Sequence, residues 1–355
     1  MRDGVLCVWG LTMIDLRSDT VTRPTEAMLE SMREATFGDD SRDGDPTVQK
    51  LEALAAERTG KAAGAFMPSG TMANLVAMLA HAQRGGEVLL EGGSHTLNAE
   101  LGGISAVAGL FYRGIPGRHG AMDLDALREA VRPTTRNQMG TALVWMENTH
   151  NRSGGAVLPL AHMQAVYELA RENNVQIHLD GARIFNAAIS LGAPPREIAR
   201  YADSVCFCVS KGLSAPVGSI LCGSKEFVER ARAFRRMVGG NMRQAGPLAA
   251  AGIVALETMV DRLVEDHQTA KRLADGLHHI DASLVDPRHV ETNLVRVEVK
   301  KSGKRAAQWS AELKQKGILV SPCDVYALRF VTHRHIAAAD IDATLSAFAE
   351  LWKKI

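Results

Sequence analysis

From Pro46 onward, short apolar runs alternate with longer segments of helical period, and this rhythm constrains the fold more than any other feature of the chain. PTVQKLEALAAERTG carries apolar residues at 48, 51, 54 and 55 and stops at Gly60, the pattern of an amphipathic helix closed by glycine. AAGAFM, EVLLE, TALVWMEN (141–148), VQIHLD (175–180), SVCFCVS (204–210) and GSILCG (218–223) read as strands. Helical segments at PSGTMANLVAMLAHAQRGG (68–86), 123–132, 159–173 and 225–237 separate most of them. Short apolar strands joined by helices predict an α/β fold, with a mainly parallel sheet covered on both faces.

From Gly246 the pattern changes. A long helical stretch runs through Leu277, followed by NLVRVEV, a helix at 306–316, GILVS, ALRFVT and a last helix at 338–353. These predict a smaller α+β unit. The 355 residues therefore divide into a short extension at 1–12, a large domain at 13–255 and a small C-terminal domain at 256–355.

Forty-one Lys and Arg against 40 Asp and Glu leave a net charge of +1. That balance speaks against a nucleic-acid partner and offers nothing to an anionic membrane surface. No apolar run approaches the ~18–20 residues of a membrane span. VLCVWGL, at 5–11, is too short and too weakly basic at its front to read as a secretory signal. The five cysteines are odd in number and lack a C-x-x-C pair, so neither a disulfide framework nor a metal site is expected. They read as small hydrophobes of a cytoplasmic protein, and function must come from local motifs.

Four motifs at strand ends can carry chemistry. Ser210-Lys211 follows the apolar strand SVCFCV, where desolvation makes a lysine amine nucleophilic towards carbonyls unless the side chain simply escapes to solvent. In HLDGAR, Asp180 ends a strand, where α/β folds place ligand-binding groups, and Arg183 lies three residues on. A carboxylate there can hold a pyridine nitrogen protonated, or the two can form a structural pair capping a helix. Pro68-Ser69-Gly70-Thr71 opens a helix whose free N–H groups can cradle a phosphate, although Ser and Thr are also ordinary N-caps. His95, just after EVLLE, can stack on a planar ring or move a proton, or do neither.

Taken together, MIDLRSDTVTRPTEAM (13–28), GDDSRDGDPTV (38–48), PSGTMANL, HLDGAR, SKGLSAPVGS and GGNMRQAG resemble the L-threonine aldolases, in the order that family uses them. The resemblance runs from about Met13 to His333. It implies a fold-type I pyridoxal phosphate enzyme with a seven-stranded sheet, close to the β-eliminating lyases. Such an enzyme cleaves L-threonine or L-allo-threonine to glycine and acetaldehyde, as a homotetramer with active sites shared between subunits. On this resemblance Lys211 is the Schiff-base lysine and Asp180 the pyridine-nitrogen partner. Arg183 lies near the cofactor hydroxyl and the substrate carboxylate, Gly70 and Thr71 bind phosphate, and His95 stacks on the ring. Residues 13–24 come near the site, where Ser18 and Arg329 hold the substrate carboxylate. Arg236 and Arg243 approach the phosphate from a neighbouring subunit. His95, directly or through a water, is the expected base for the β-hydroxyl, and no metal is expected. β-Elimination or transamination would use the same Lys211–Asp180 pair.

The chain departs from the family pattern at Arg42, where tyrosine is frequent, at Ala99, where an aromatic is common, and at Asn241, where glycine is usual. Loss of two aromatics near the site would widen the pocket for bulkier β-hydroxy-α-amino acids such as phenylserine.

Overall fold

Side chains buried on both sides of the inner strands give the sheet two apolar faces, and helices cover both. The computed structural model describes residues 6–8 and 11–354. Seven strands form the main sheet: β1 (Ala63–Met67), β2 (Glu87–Glu91), β3 (Phe111–Ile115), β4 (Thr141–Glu147), β5 (Gln176–Asp180), β6 (Ser204–Cys208) and β7 (Ser219–Gly223). Their spatial order is β1-β7-β6-β5-β4-β2-β3. Strand β7 runs antiparallel to both β1 and β6, while the β6-β5-β4-β2-β3 run is parallel. The carboxyl ends of every strand but β7 therefore open onto one rim.

Phe66, Leu89, Val144, Ile177, Val205, Phe207 and Ile220 point to one face and pack with helices Pro46–Thr59, Leu160–Glu172, Ile184–Leu191 and Gly246–Thr258. Their neighbours Ala65, Met67, Val88, Leu90, Leu143, Trp145, Cys206 and Leu221 point to the other, under Gly70–His81 and Lys225–Met237. Each fully buried large side chain contributes about 1.5–3 kcal/mol of transfer free energy, so both layers stabilise the sheet. Cys206, Cys208 and Cys222 are buried free thiols and Cys323 is half-buried, as expected of small hydrophobes. The same reading of Cys7 falls outside the described side chains.

The strands expected from apolar runs are all present, but β3 is an addition. FYRGI is an exposed edge strand with only Ile115 buried, so it lacks the apolar run that marks the others. The expected long helix from 246 to 277 is two, Gly246–Thr258 and Leu263–Ile280. The first packs in the large core, which extends to Leu263, and the second turns away to bury Ala270, Leu273 and Leu277 in a separate one. No Gly or Pro marks the break at 259–262, so periodicity runs straight through it.

The second core is the small α+β unit. Strands Leu294–Glu298, Ala327–Val331 and Ser321–Asp324 form an antiparallel sheet with Ala327–Val331 in the middle. Helices Ala306–Gln315 and Ala338–Trp352 cover it, with Trp309 stacked on Phe348 at 4.6 Å between centroids. The N-terminal segment joins this unit. Leu11–Asp15 pairs parallel with Ile318–Leu319, and Leu16 is buried in the second core. Part of the extension expected at 1–12 lies outside the described residues; Leu6–Val8 pairs antiparallel with Leu11–Asp15. Among the described residues no helix is long and apolar enough to cross a membrane.

Candidate active site

The rim formed by the carboxyl ends of the strands, closed from above by the N-terminal segment and the small unit, encloses a cavity of about 410 Å³. Of the residues expected at the site, Ser18, Gly70, Thr71, His95, Asp180, Arg183, Lys211 and Arg329 all line it. Arg236 and Arg243 do not. Both are exposed on the same subunit, with Arg243 3.8 Å from Asp39.

Each lining residue is placed by a strand end or by a loop that the strand ends anchor. Lys211 lies three residues beyond β6, and its carbonyl accepts hydrogen bonds from Thr22 Oγ1 at 2.9 Å and from the Ser214 N–H at 2.8 Å. Among the described residues its Nζ has no hydrogen-bond or salt-bridge partner. Asp180, the last residue of β5, is buried and accepts from Asn74 Nδ2 at 2.8 Å and from the Ala182 N–H at 3.0 Å. Helix Gly70–His81 directs its first turn at the cavity, and helix geometry leaves its leading N–H groups without internal acceptors. A Cβ on Gly70 would meet Cys208 Sγ at 2.9 Å, so only glycine lets the helix start this close to the strand.

His95 opens a short helix after β2. Its Nδ1 lies 2.8 Å from Glu100 Oε1, and that hydrogen bond raises its pKa against the opposing effect of burial. Its backbone N–H donates to Glu147 Oε2 at 2.6 Å. Asn74 Nδ2 also reaches Glu100 Oε1, at 2.8 Å, so one amide ties the His95 partner to Asp180. His95, Glu100 and Asp180 thus cluster in a single network.

The fork of Arg183 is already engaged. Its Nε and Nη2 each donate at 2.7 Å to the carboxylate of Asp19, with both side chains buried. Burial works to raise the Asp19 pKa, but Arg183, Lys211 and Asn293 hold it well below the usual carboxylate range. Only Nη1 of Arg183 is left to meet a ligand. A depressed carboxylate contributes stability that is complete above its unfolded pKa and is lost only as pH falls through the folded value. Asp19 therefore supports the fold into strongly acidic solution. Asp19→Asn leaves a buried guanidinium unpaired and is expected to cost about 3–5 kcal/mol in urea unfolding at neutral pH.

Arg329 is the opposite case. It sits on the central strand of the small unit, where Nη1 donates to Asn151 Oδ1 at 3.1 Å and Nη2 reaches the Arg17 carbonyl at 3.4 Å. Its buried Nε has no partner, and among the described residues no carboxylate pairs with it. Burial and the neighbouring Arg183 push its pKa down, as expected of a cation that lacks its anion. A guanidinium so arranged could pair with a carboxylate from a ligand.

Asp19, Asn74, Glu100, Glu147 and Asn151 were not anticipated from sequence. Glu147 carried the same signal as Asp180, an acid closing an apolar strand, and Asp19 is the neighbour of Ser18 in LRSDT. The three departures lie at the periphery. Arg42 and Ala99 are exposed and do not line the cavity. Asn241 accepts from Arg235 Nη2 at 3.1 Å and donates to Ser41 at 2.7 Å, fastening the 38–45 loop.

Residues 15–301 match the family described as beta-eliminating lyase. The chain is also 42% identical over 340 residues to the low specificity L-threonine aldolase of Escherichia coli, covering 95% of this chain and 99% of that one. The chain belongs to the beta-eliminating lyase family. Within it, low-specificity L-threonine aldolase 1 of Arabidopsis thaliana is 41% identical over 342 residues, covering 95% and 96% of the two chains. A solved threonine aldolase of Leishmania major shares the fold, with a TM-score of 0.81 at 17% identity and coverage of 96% and 99%.

The residues present fit pyridoxal phosphate. Lys211 would offer an amine to its aldehyde, Asp180 a buried carboxylate to its ring nitrogen, and the first turn of Gly70–His81 an anion site to its phosphate. The chain is a pyridoxal-phosphate-dependent lyase of this family.

Proposed function

We propose that this lyase cleaves L-threonine and L-allo-threonine to glycine and acetaldehyde, acting as a cytoplasmic homotetramer. The observation that carries the reading is Arg329, a half-buried cation whose buried Nε is free and which, among the described residues, pairs with no carboxylate, in the same cavity as Lys211 and Asp180. That set recognises an α-amino acid: a carboxylate for Arg329 and Ser18, and an amine delivered towards Lys211. When bound, pyridoxal phosphate supplies an electron sink for the bond broken at Cα.

The remaining steps belong to the protein. Arg329 and Ser18 fix the carboxylate, which sets which Cα bond stands ready to break and so selects Cα–Cβ over Cα–H. His95, itself or through a water it holds, takes the β-hydroxyl proton, with Glu100 behind its Nδ1 to stabilise the resulting charge. A proton returned to Cα completes glycine as the aldehyde leaves, so atoms and charge balance without an oxidant. Exposed Arg236 and Arg243, the latter beside Asp39, reach a neighbouring subunit's phosphate in this reading.

The purified holoenzyme is expected to convert threonine into equimolar glycine and acetaldehyde. Ammonia with a 2-oxo acid would instead establish β-elimination, and a requirement for an acceptor 2-oxo acid would establish transamination. Phenylserine belongs in the same assay. Arg42 and Ala99 lie outside the cavity of this chain, so glycine and benzaldehyde formed at least as fast as the threonine products would establish a wider pocket by another route, and much slower turnover removes it.

A further inference from the structure

Glu147 closes β4 at the back of the cavity, with its carboxylate buried beside Asp180. Burial and the nearby Asp180 charge push its pKa up, so it is an expensive group to keep there for packing alone. Both of its oxygens are in use. Oε2 accepts the backbone N–H of His95 at 2.6 Å, and Oε1 accepts the backbone N–H of Asn151 at 2.8 Å. Asn151 in turn accepts Arg329 Nη1 through its side-chain oxygen at 3.1 Å. One buried carboxylate thus spans from the residue expected over the cofactor ring to the residue that holds the substrate carboxylate. The last link also crosses from the large unit to the small one.

We infer that Glu147 is a positioning residue that sets the place of the Arg329 clamp relative to His95 through Asn151. The inference rests on the amino-acid lyase reading and adds a determinant of substrate registration to it. Arg329 touches only neutral oxygens on its protein side, so little else holds the guanidinium in one pose before a carboxylate arrives. Asn151 is the fixed point, and Glu147 fixes Asn151. A glutamine at 147 cannot serve both backbone donors, because its amide nitrogen must face one of them.

The test is calorimetric titration of holoenzyme with glycine and with ethylamine, which has the amine but no carboxylate. Glu147→Gln and Asn151→Ala should each weaken glycine binding about tenfold, the loss of one charge-assisted contact, and leave ethylamine unchanged. Arg329→Ala should weaken glycine further and make either second substitution silent, changing affinity by less than about twofold in the double variant. Losses that multiply in full, or that are equal for glycine and ethylamine, would overturn the positioning role. Asn151→Ala keeps the test available should Glu147→Gln fail to fold, since its side chain is only half-buried. Wild-type holoenzyme that bound ethylamine and glycine alike would point elsewhere, to a failure of the amino-acid reading itself.

Discussion

Lys211→Ala is expected to remove the visible absorbance of bound cofactor and to lower threonine cleavage by about 10³-fold or more, while the protein stays folded. The activity loss is large because, among the described residues, no other lysine lines the cavity to take its place. The structural cost is small because, among the described residues, the Nζ has no hydrogen-bond partner. The contacts that fix the loop use the Lys211 carbonyl, which alanine keeps: Thr22 Oγ1 and the Ser214 N–H both remain bonded to it. Thermal unfolding of the apo forms should therefore agree to within a few degrees, about the effect of a substitution outside a core. The two readouts separate chemistry from folding. Retained colour and retained turnover would show that another amine captures the aldehyde, and the assignment of the cavity would fall with it. Lost colour together with a collapsed melting transition would mean that Lys211 holds the loop through contacts the fold does not display.

How much of this was legible beforehand depends on what each residue's signal is made of. A strand buried on both faces announces itself as an apolar run, so six of the seven strands could be read, and with them the rim where Asp180 and Lys211 meet. Strand β3 could not, because an exposed edge needs no apolar face. The two helices between 246 and 280 merged for a related reason. Each buries a stripe, but against different cores, and a hydrophobic period records that a stripe is buried without recording where. The site divides in the same way. Lys211, Asp180 and the turn at Gly70 stand where strand ends and helix starts place chemistry in any α/β fold. Asn74 matters only because folding brings it to an aspartate 106 residues away, and Asp19 because Arg183 is 164 residues away. Neither distance leaves a trace in local spacing. Glu147 is the instructive omission. It closes an apolar strand as Asp180 does, but no short motif surrounds it to mark the acid out.

Asp180→Asn should keep the cofactor in place and lower threonine turnover by about 10²-fold. Replacing a carboxylate by an amide removes the charge that holds a pyridine nitrogen protonated, and with it most of the electron sink. A hydrogen bond to a charged group is worth about 1.5–3 kcal/mol, which translates to roughly 10–150-fold in rate if the bond strengthens as charge enters the ring. Asparagine is nearly isosteric, yet it is not silent in the fold. Both Asp180 oxygens accept from the protein, one from Asn74 and one from the Ala182 N–H, so an amide nitrogen must oppose one donor. Asn74 can relieve that conflict by turning its own amide, since Cys206 Sγ at 3.1 Å is the partner of its oxygen and makes only a weak bond. Turning it would withdraw the donor from Glu100 and loosen the partner of His95. The variant should therefore show a second, smaller effect: a lower His95 pKa, seen as an acidic shift of the basic-side limb in the imidazole titration followed by NMR. The sign follows from the structure, because the Glu100 hydrogen bond and the Asp180 charge both raise that pKa, and the variant loosens the first and removes the second. Unchanged turnover in Asp180→Asn would move the electron-sink role away from Asp180. Reduced turnover with an unmoved His95 would leave that role intact and show that neither the lost charge nor a turned Asn74 reaches the imidazole.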